Sequence, residues 1–280
     1  MIRRLLCTDL DRTLIHNGSH PDSPNAKKRL EYLIRNEQLT LAFVTGRHRA
    51  SIEQAIVEYQ LPLPNFAIAD VGTKIYQIDA NGWHLWDSWN KYLAQEWAGI
   101  NQSELIESLT QIPFVRVQEP EKQSEFKLSF YLPMRIDPSL TNRYIERVLR
   151  RLDVRSNLIW SVDECADIRL LDIIPMRANK LQAIRYLMQQ SEFSLSTTVF
   201  AGDSGNDIDV LESDIPAILV ANADSQMKSW AERSKSDSLY VAQGGFLGMN
   251  GNYSAGVIEG IIHFWPDLMR SLELTQLKAN

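Results

Sequence analysis

The chain opens on an apolar run, Leu5-Leu6-Cys7-Thr8, that stops abruptly at Asp9-Leu10-Asp11-Arg12-Thr13. Such a run reads as a short buried strand, and two residues spaced by two at its end share one rim of a sheet. Two carboxylates there repel each other unless a cation or a proton lies between them. The pattern recurs along the chain. Leu39 to Val44 ends at Thr45-Gly46-Arg47, and Thr198 to Ala201 runs into Gly202-Asp203-Ser204-Gly205-Asn206-Asp207. Lys180 stands at a further break, after the apolar stretch that closes at Pro175. Helical stripes alternate with these strands: Ala26, Leu30, Leu33 and Ile34 after Ser23-Pro24, an expected N-cap and first-turn proline, then Ile52, Ala55, Ile56 and Tyr59. Strand-helix alternation of this kind predicts an α/β fold with a Rossmann-like core on a parallel sheet. Ligands of such sheets bind outside the carboxyl ends of the strands, so four polar clusters at strand ends predict one site.

A third core strand is expected over Phe66 to Ala69, followed by a hairpin from Val71 to Leu85 broken at Asn81-Gly82. Beyond it Trp83, Trp86, Trp89 and Trp97 crowd the sequence, and the strands no longer end in acids. Expected strands at 115–118, 125–132, 158–162 and 167–174, with helices at 103–110 and 138–152, suit an α+β insert. The core pattern resumes after Pro175. The expected organisation is therefore a catalytic core, 1–83 with 175–280, and an inserted cap, 84–174.

With 280 residues the chain exceeds the usual size of one domain, and a net charge of −6 without a basic block argues against a nucleic-acid partner. No apolar run approaches the ~20 residues that span a bilayer, and the N-terminus enters the fold at once. A cytoplasmic protein off the membrane is the expectation. Cys7 and Cys165 have no metal or redox spacing and read as reduced thiols. The five histidines show no ligand spacing either.

In order and content the four clusters match the four motifs of the haloacid dehalogenase superfamily of phosphotransferases. Phe126-Lys127-Leu128-Ser129, Asp172-Ile173-Ile174-Pro175 and Gly202 to Asp207 resemble the sucrose-phosphatase branch, with its type IIB-like α+β cap. The resemblance implies that Asp9 is the nucleophile, forming an aspartyl phosphate, and that Asp11 protonates the leaving alkoxide. It places Thr45, Gly46, Lys180 and Asn206 on the phosphate. It implies Mg2+ held by Asp9, the backbone carbonyl of Asp11 and Asp203, with Asp207 completing the site or ordering its waters. Arg47, Thr73, Lys127, Ser129 and Asp172 are its candidates for the sugar, and the cap would choose the substrate.

Each residue alone has a plainer reading: an acidic turn, a helix cap, a solvated lysine, a turn asparagine. Lys127 and Ser129, alternating on an expected strand, would face one side. Lys74 stands where sucrose phosphatases usually carry an acid, and Arg12 where glycine or asparagine is commoner. The expected activity is hydrolysis of a disaccharide phosphate, foremost sucrose 6-phosphate, with mannosylfructose phosphate as the alternative sugar. A phosphosugar mutase and a non-catalytic partner of a sugar-phosphate synthase are the competing readings. Intact motifs weigh against the latter, since a chain freed from catalysis has no chemical need for Asp9, Asp11, Lys180 and Asp203 together.

Overall fold

The computed structural model describes residues 2–97, 99–163, 166–234 and 236–278, so that Cys165 lies outside the described residues. The strands, in chain order, are β1 Leu5–Thr8, β2 Thr40–Val44, β3 Phe66–Ala69, β4 Lys74–Asp79, β5 Gly82–Leu85, β6 Arg116–Val117, β7 Leu128–Pro133, β8 Ser156–Asp163, β9 Ile168–Pro175, β10 Thr198–Gly202, β11 Ala217–Leu219 and β12 Leu239–Val241. The helices are α1 Ala26–Asn36, α2 Arg49–Glu58, α3 Asp87–Ala94, α4 Gln102–Thr110, α5 Pro138–Arg151, α6 Lys180–Gln190, α7 Ile208–Leu211, α8 Ser225–Arg233, α9 Ser254–Phe264 and α10 Met269–Lys278.

The chain divides into two compact units, Met1–Leu85 with Lys180–Asn280, and Trp86–Asn179. In the first, eight strands run in the order β12-β11-β10-β1-β2-β3-β4-β5. Neighbours from β12 to β3 are parallel, and the β4-β5 hairpin adds antiparallel at the edge. Every residue of β1 and β10 is buried, as central parallel strands covered on both faces require. Leu6, Phe43, Val199 and Ala201 on one face join Leu30, Leu33, Ile258 and Ile261 of α1 and α9 in a single core. On the other side α6 packs near β3. β1 sits between β10 and β2, so the loops after these three strands open at one rim.

Two local expectations differ from the structure. Ser23 does not cap α1: its hydroxyl donates to Asn250 Oδ1 at 2.8 Å, and the helix instead starts after Asn25, whose φ of 64° ends a Pro24-Asn25 turn. The hairpin turn is Ala80-Asn81, because Gly82 pairs with Asp79 within the strands. β12, α3 and α10 have no counterpart in the sequence reading, their apolar pattern being short or interrupted.

The second unit is a four-stranded antiparallel sheet, β6-β7-β9-β8, with α3, α4 and α5. Leu128, Phe130, Leu132, Leu171 and Ile173 are buried with Ile145 and Leu149 of α5. The tryptophans do not form one cluster. Trp83 lies edge-on to Tyr76, 5.6 Å away, in the hairpin of the first unit, whereas Trp89 and Trp97 fill the core of the second. Among the described residues no helix is long and apolar enough to cross a membrane.

Candidate active site

β1 delivers Asp9 one residue past its end, where the Asp9 amide continues the sheet by donating to the Ala201 carbonyl at 2.9 Å. β10 likewise delivers Asp203 one residue past its end, but there the amide donates to Asp207 Oδ2. Asp9, Asp203 and Asp207 are all buried, with carboxylate oxygens within 4.8 Å of one another. Lys180 comes from the N-terminus of α6, not from an end of the parallel sheet, and its 2% exposure leaves it among these acids. Its Nζ lies 3.2 Å from Asp9 Oδ1, 2.6 Å from Asp207 Oδ1 and 3.3 Å from Asn206 Oδ1. Burial opposes its charge, but the Asp207 and Asp9 carboxylates hold its pKa above the ordinary lysine value.

One lysine among three buried acids does not neutralise them. Burial pushes Asp9 up to about 7, with Asp207 adding to the rise and Lys180 opposing it. Burial, then the Asp207 charge, likewise pushes Asp203 up to about 6 against Arg12 and Lys180. A hard divalent cation fits this donor set, since the ligands are oxygens and Asp203 Oδ2 is buried without a hydrogen-bond partner. Asp207 has its oxygens engaged by the protein: Oδ1 takes the Lys180 bond, and Oδ2 accepts from the Asp203 and Ser204 amides at 3.1 and 3.2 Å. These bonds tie Asp207 to Lys180 and to the turn that follows β10. Gly202 makes room for it, because a Cβ there would lie 2.5 Å from Asp207 Oδ2.

Asp11 faces a cleft of about 270 Å³ lined by Asp9, Asp11, Arg12, Thr45, Gly46, Arg47, Asp203, Ser204 and Asn206. Arg47 grips its carboxylate with both arms, Nε to Oδ2 at 2.8 Å and Nη2 to Oδ1 at 2.6 Å, and Asn17 adds a bond of 2.7 Å to Oδ1. These bonds hold the Asp11 carboxyl below its usual range, the Arg47 hydrogen bond foremost. Thr45 is buried at the end of β2, and its Oγ1 accepts the Arg47 amide at 3.2 Å. Behind it, the loop after β3 carries Asp70 and Val71 at φ 49° and 60°, a left-handed conformation costly for a β-branched residue. It is held there by amide bonds from Asp70 to the Arg47 carbonyl and from Val71 to that of Thr45, at 3.0 and 3.3 Å. Thr73 follows, fully buried, its Oγ1 without a hydrogen-bond partner.

In the second unit, Ser129 and Asp172 are register partners on β7 and β9. The Ser129 hydroxyl donates to Asp172 Oδ1 at 2.6 Å, and the serine is only 1% exposed. Lys127 is half-buried and precedes β7, in a bridge with Ser124, which delays the strand relative to the 125–132 expected. Lys127 thus stands immediately before the strand and Ser129 within it, two positions apart.

Three residues of the first site escaped the sequence reading. Asn17 holds Asp11; Asn222 donates to the Arg12 carbonyl at 2.6 Å and accepts the Tyr253 amide at 2.7 Å; Tyr253 donates to the His20 carbonyl at 3.1 Å. A partner 210 positions away leaves no local signal in the sequence.

Residues 2–265 match the family described as sucrose-6F-phosphate phosphohydrolase. A protein of Nitrosococcus oceani named as a HAD-like hydrolase is 51% identical over 273 residues, 96% of this chain and 74% of the relative. Sucrose-phosphatase 1 of Nicotiana tabacum is 28% identical over 94% of this chain but only 59% of its own length, so the chain spans about three-fifths of that relative. A mannosylfructose-phosphate phosphatase of Agrobacterium fabrum is 27% identical over 93% of this chain and 96% of the relative. Among solved structures, the sucrose-phosphatase of Synechocystis sp. PCC6803 in complex with sucrose and phosphate superposes with a TM-score of 0.70 at 26% identity, covering 94% of this chain and 98% of that one. The chain belongs to the sucrose-6F-phosphate phosphohydrolase family, phosphoric monoester hydrolases of the haloacid dehalogenase superfamily.

Proposed function

We propose that the protein hydrolyses a disaccharide phosphate, foremost sucrose 6-phosphate, through an aspartyl phosphate on Asp9. The observation that carries this reading is the meeting of Asp9, Lys180, Asp203 and Asp207 behind a cleft that Asp11, Thr45 and Asn206 face. Asp9 Oδ attacks phosphorus and the bond to the sugar oxygen breaks. Lys180, fixed by Asp207, keeps positive charge beside the attacking carboxylate. The leaving alkoxide takes a proton from Asp11. Water then attacks the acyl phosphate, gives its proton to Asp11, and restores the Asp9 carboxylate with release of phosphate. Thr45 and Asn206 supply neutral donors toward the phosphate oxygens. Mg2+, with Asp9, the Asp11 carbonyl and Asp203 as its ligands, would supply charge neutralisation for phosphate entering an acidic pocket.

Asp11 cannot donate a proton while both its oxygens bind Arg47 and Asn17. Turning from the guanidinium is therefore part of the cycle, and a substrate oxyanion drawing Arg47 toward itself provides the force. Thr73 is a candidate for a substrate hydroxyl because its own is unpaired. The Trp86–Asn179 unit is the proposed selectivity cap. There Lys127 and Asp172 are the candidate sugar-reading groups, and Ser129 serves by fixing Asp172.

The Agrobacterium fabrum relative supports mannosylfructose phosphate as the alternative substrate. Its identity of 27% is level with the 28% of the tobacco sucrose-phosphatase. A panel of sugar phosphates with magnesium, scored for phosphate release, tests both. Fastest turnover of sucrose 6-phosphate supports the first reading, fastest turnover of mannosylfructose phosphate the second, and isomerised sugar phosphate without free phosphate refutes hydrolysis.

A further inference from the structure

Arg12 has a backbone that does not suit it and a side chain placed where a metal ion's charge belongs. Its φ of 58° lies in the left-handed region that favours glycine or asparagine. The loop imposes this conformation from both sides, with the Arg12 amide donating to Asn17 Oδ1 at 2.9 Å and its carbonyl accepting from Asn222 Nδ2 at 2.6 Å. An arginine kept in a glycine-like conformation asks for a reason in its side chain. The guanidinium Nε lies 3.1 Å from Asp203 Oδ2, a carboxylate only 2% exposed, while the arginine side chain is 41% exposed. The approach is not aligned as a hydrogen bond, so Oδ2 keeps its lone pairs unpaired and buried. This contact is one of charge with charge, on a carboxylate grouped with those of Asp9 and Asp207.

We propose that Arg12 sets the affinity of the site for its divalent cation by contending with that ion for Asp203. The inference rests on the reading of Asp9 and Asp203 as metal ligands. Two cations cannot both press on one carboxylate oxygen without repulsion, and of the two only the guanidinium has open solvent to retreat into. Each binding event must therefore move Arg12 off Asp203. Arg12 thereby lowers metal affinity and steadies the acidic loop between events. A single positive charge a few ångströms from a divalent ion, in the high dielectric of a partly exposed cleft, is worth about tenfold in binding.

The test is calorimetric titration of the full chain with magnesium chloride alone. Wild type, Arg12→Asn and Arg12→Lys are compared at low and high ionic strength. Asparagine accepts the left-handed backbone, so Arg12→Asn removes the charge without disturbing the loop. Arg12→Gly takes its place if that variant does not fold. The expected result is about tenfold tighter magnesium binding by the charge-free variant. The gap should narrow in high salt, and Arg12→Lys should stay near wild type. Unchanged or weaker binding by the charge-free variant, with wild type binding normally, overturns the inference and leaves the metal reading standing. Magnesium binding by none of the proteins overturns the metal reading and this inference with it.

Discussion

Lys180→Met removes the cation buried among Asp9, Asp203 and Asp207 while keeping a side chain of similar length. Lys180 is 2% exposed, lies 2.6 Å from Asp207 and 3.2 Å from Asp9, and so shares two buried ion pairs. Removing one partner of a buried pair costs about 3–5 kcal/mol, because the acids left behind are stranded away from water. That is a large share of a typical domain's stability of roughly 5–15 kcal/mol. The cost should depend on pH. Asp9 and Asp203 rise to about 7 and about 6 from 3.8, so the folded state binds more protons than the unfolded one between roughly pH 4 and pH 7. Stability of the wild type in chelator therefore falls as pH rises through that window. In Lys180→Met the fall should be steeper, since no lysine opposes the carboxylate charges, and the deficit should shrink near pH 5, where protons replace the missing cation. Urea unfolding followed by tryptophan fluorescence in EDTA, at about pH 5 and about pH 8, measures this. A variant within about 1 kcal/mol of wild type at the higher pH, or a deficit that grows on acidification, would refute the electrostatic account; the threshold is the size of an ordinary surface-to-core effect.

Asp9→Asn and Asp11→Asn should each abolish phosphate release with folded circular-dichroism spectra, and near wild-type turnover by either would sink its assigned role. Gly202→Ala drives a methyl to 2.5 Å from Asp207 Oδ2 and should cost about 1–3 kcal/mol in unfolding free energy together with most activity. Unaltered activity would show that Asp207 can move. Lys127→Ala and Ser129→Ala should lower kcat/KM for the disaccharide phosphate while sparing slow hydrolysis of a small aryl phosphate. Because Ser129 is buried against Asp172, its loss should also lower stability by about 1–3 kcal/mol, as an acid deprived of its donor does. Equal loss on both substrates would assign these residues to folding or chemistry.

The alternation of apolar runs with acid- or glycine-ended loops was enough to read the parallel core and the place of Asp9, Thr45 and Asp203. Apolar strand pattern and strand-end chemistry are local properties, written in four to six consecutive residues. Lys180 was singled out through resemblance. Its burial between Asp9 and Asp207 was not, because desolvation depends on what packs around a side chain from elsewhere in the chain. Ser23 looked like a helix cap from its neighbours alone, yet Asn250 claims its hydroxyl. Ser129 was marked as a sugar candidate from its strand position, but its bond to Asp172 across the sheet was not legible there, because register is set by strand pairing. The residue types at the site and the alternation of strands with helices were set by the sequence taken locally. Which carboxylate answers to which cation, Asp11 to Arg47, Asp203 to Arg12, Asp207 to Lys180, was decided only by the tertiary fold, because ion pairing falls off with distance in space and takes no account of separation along the chain.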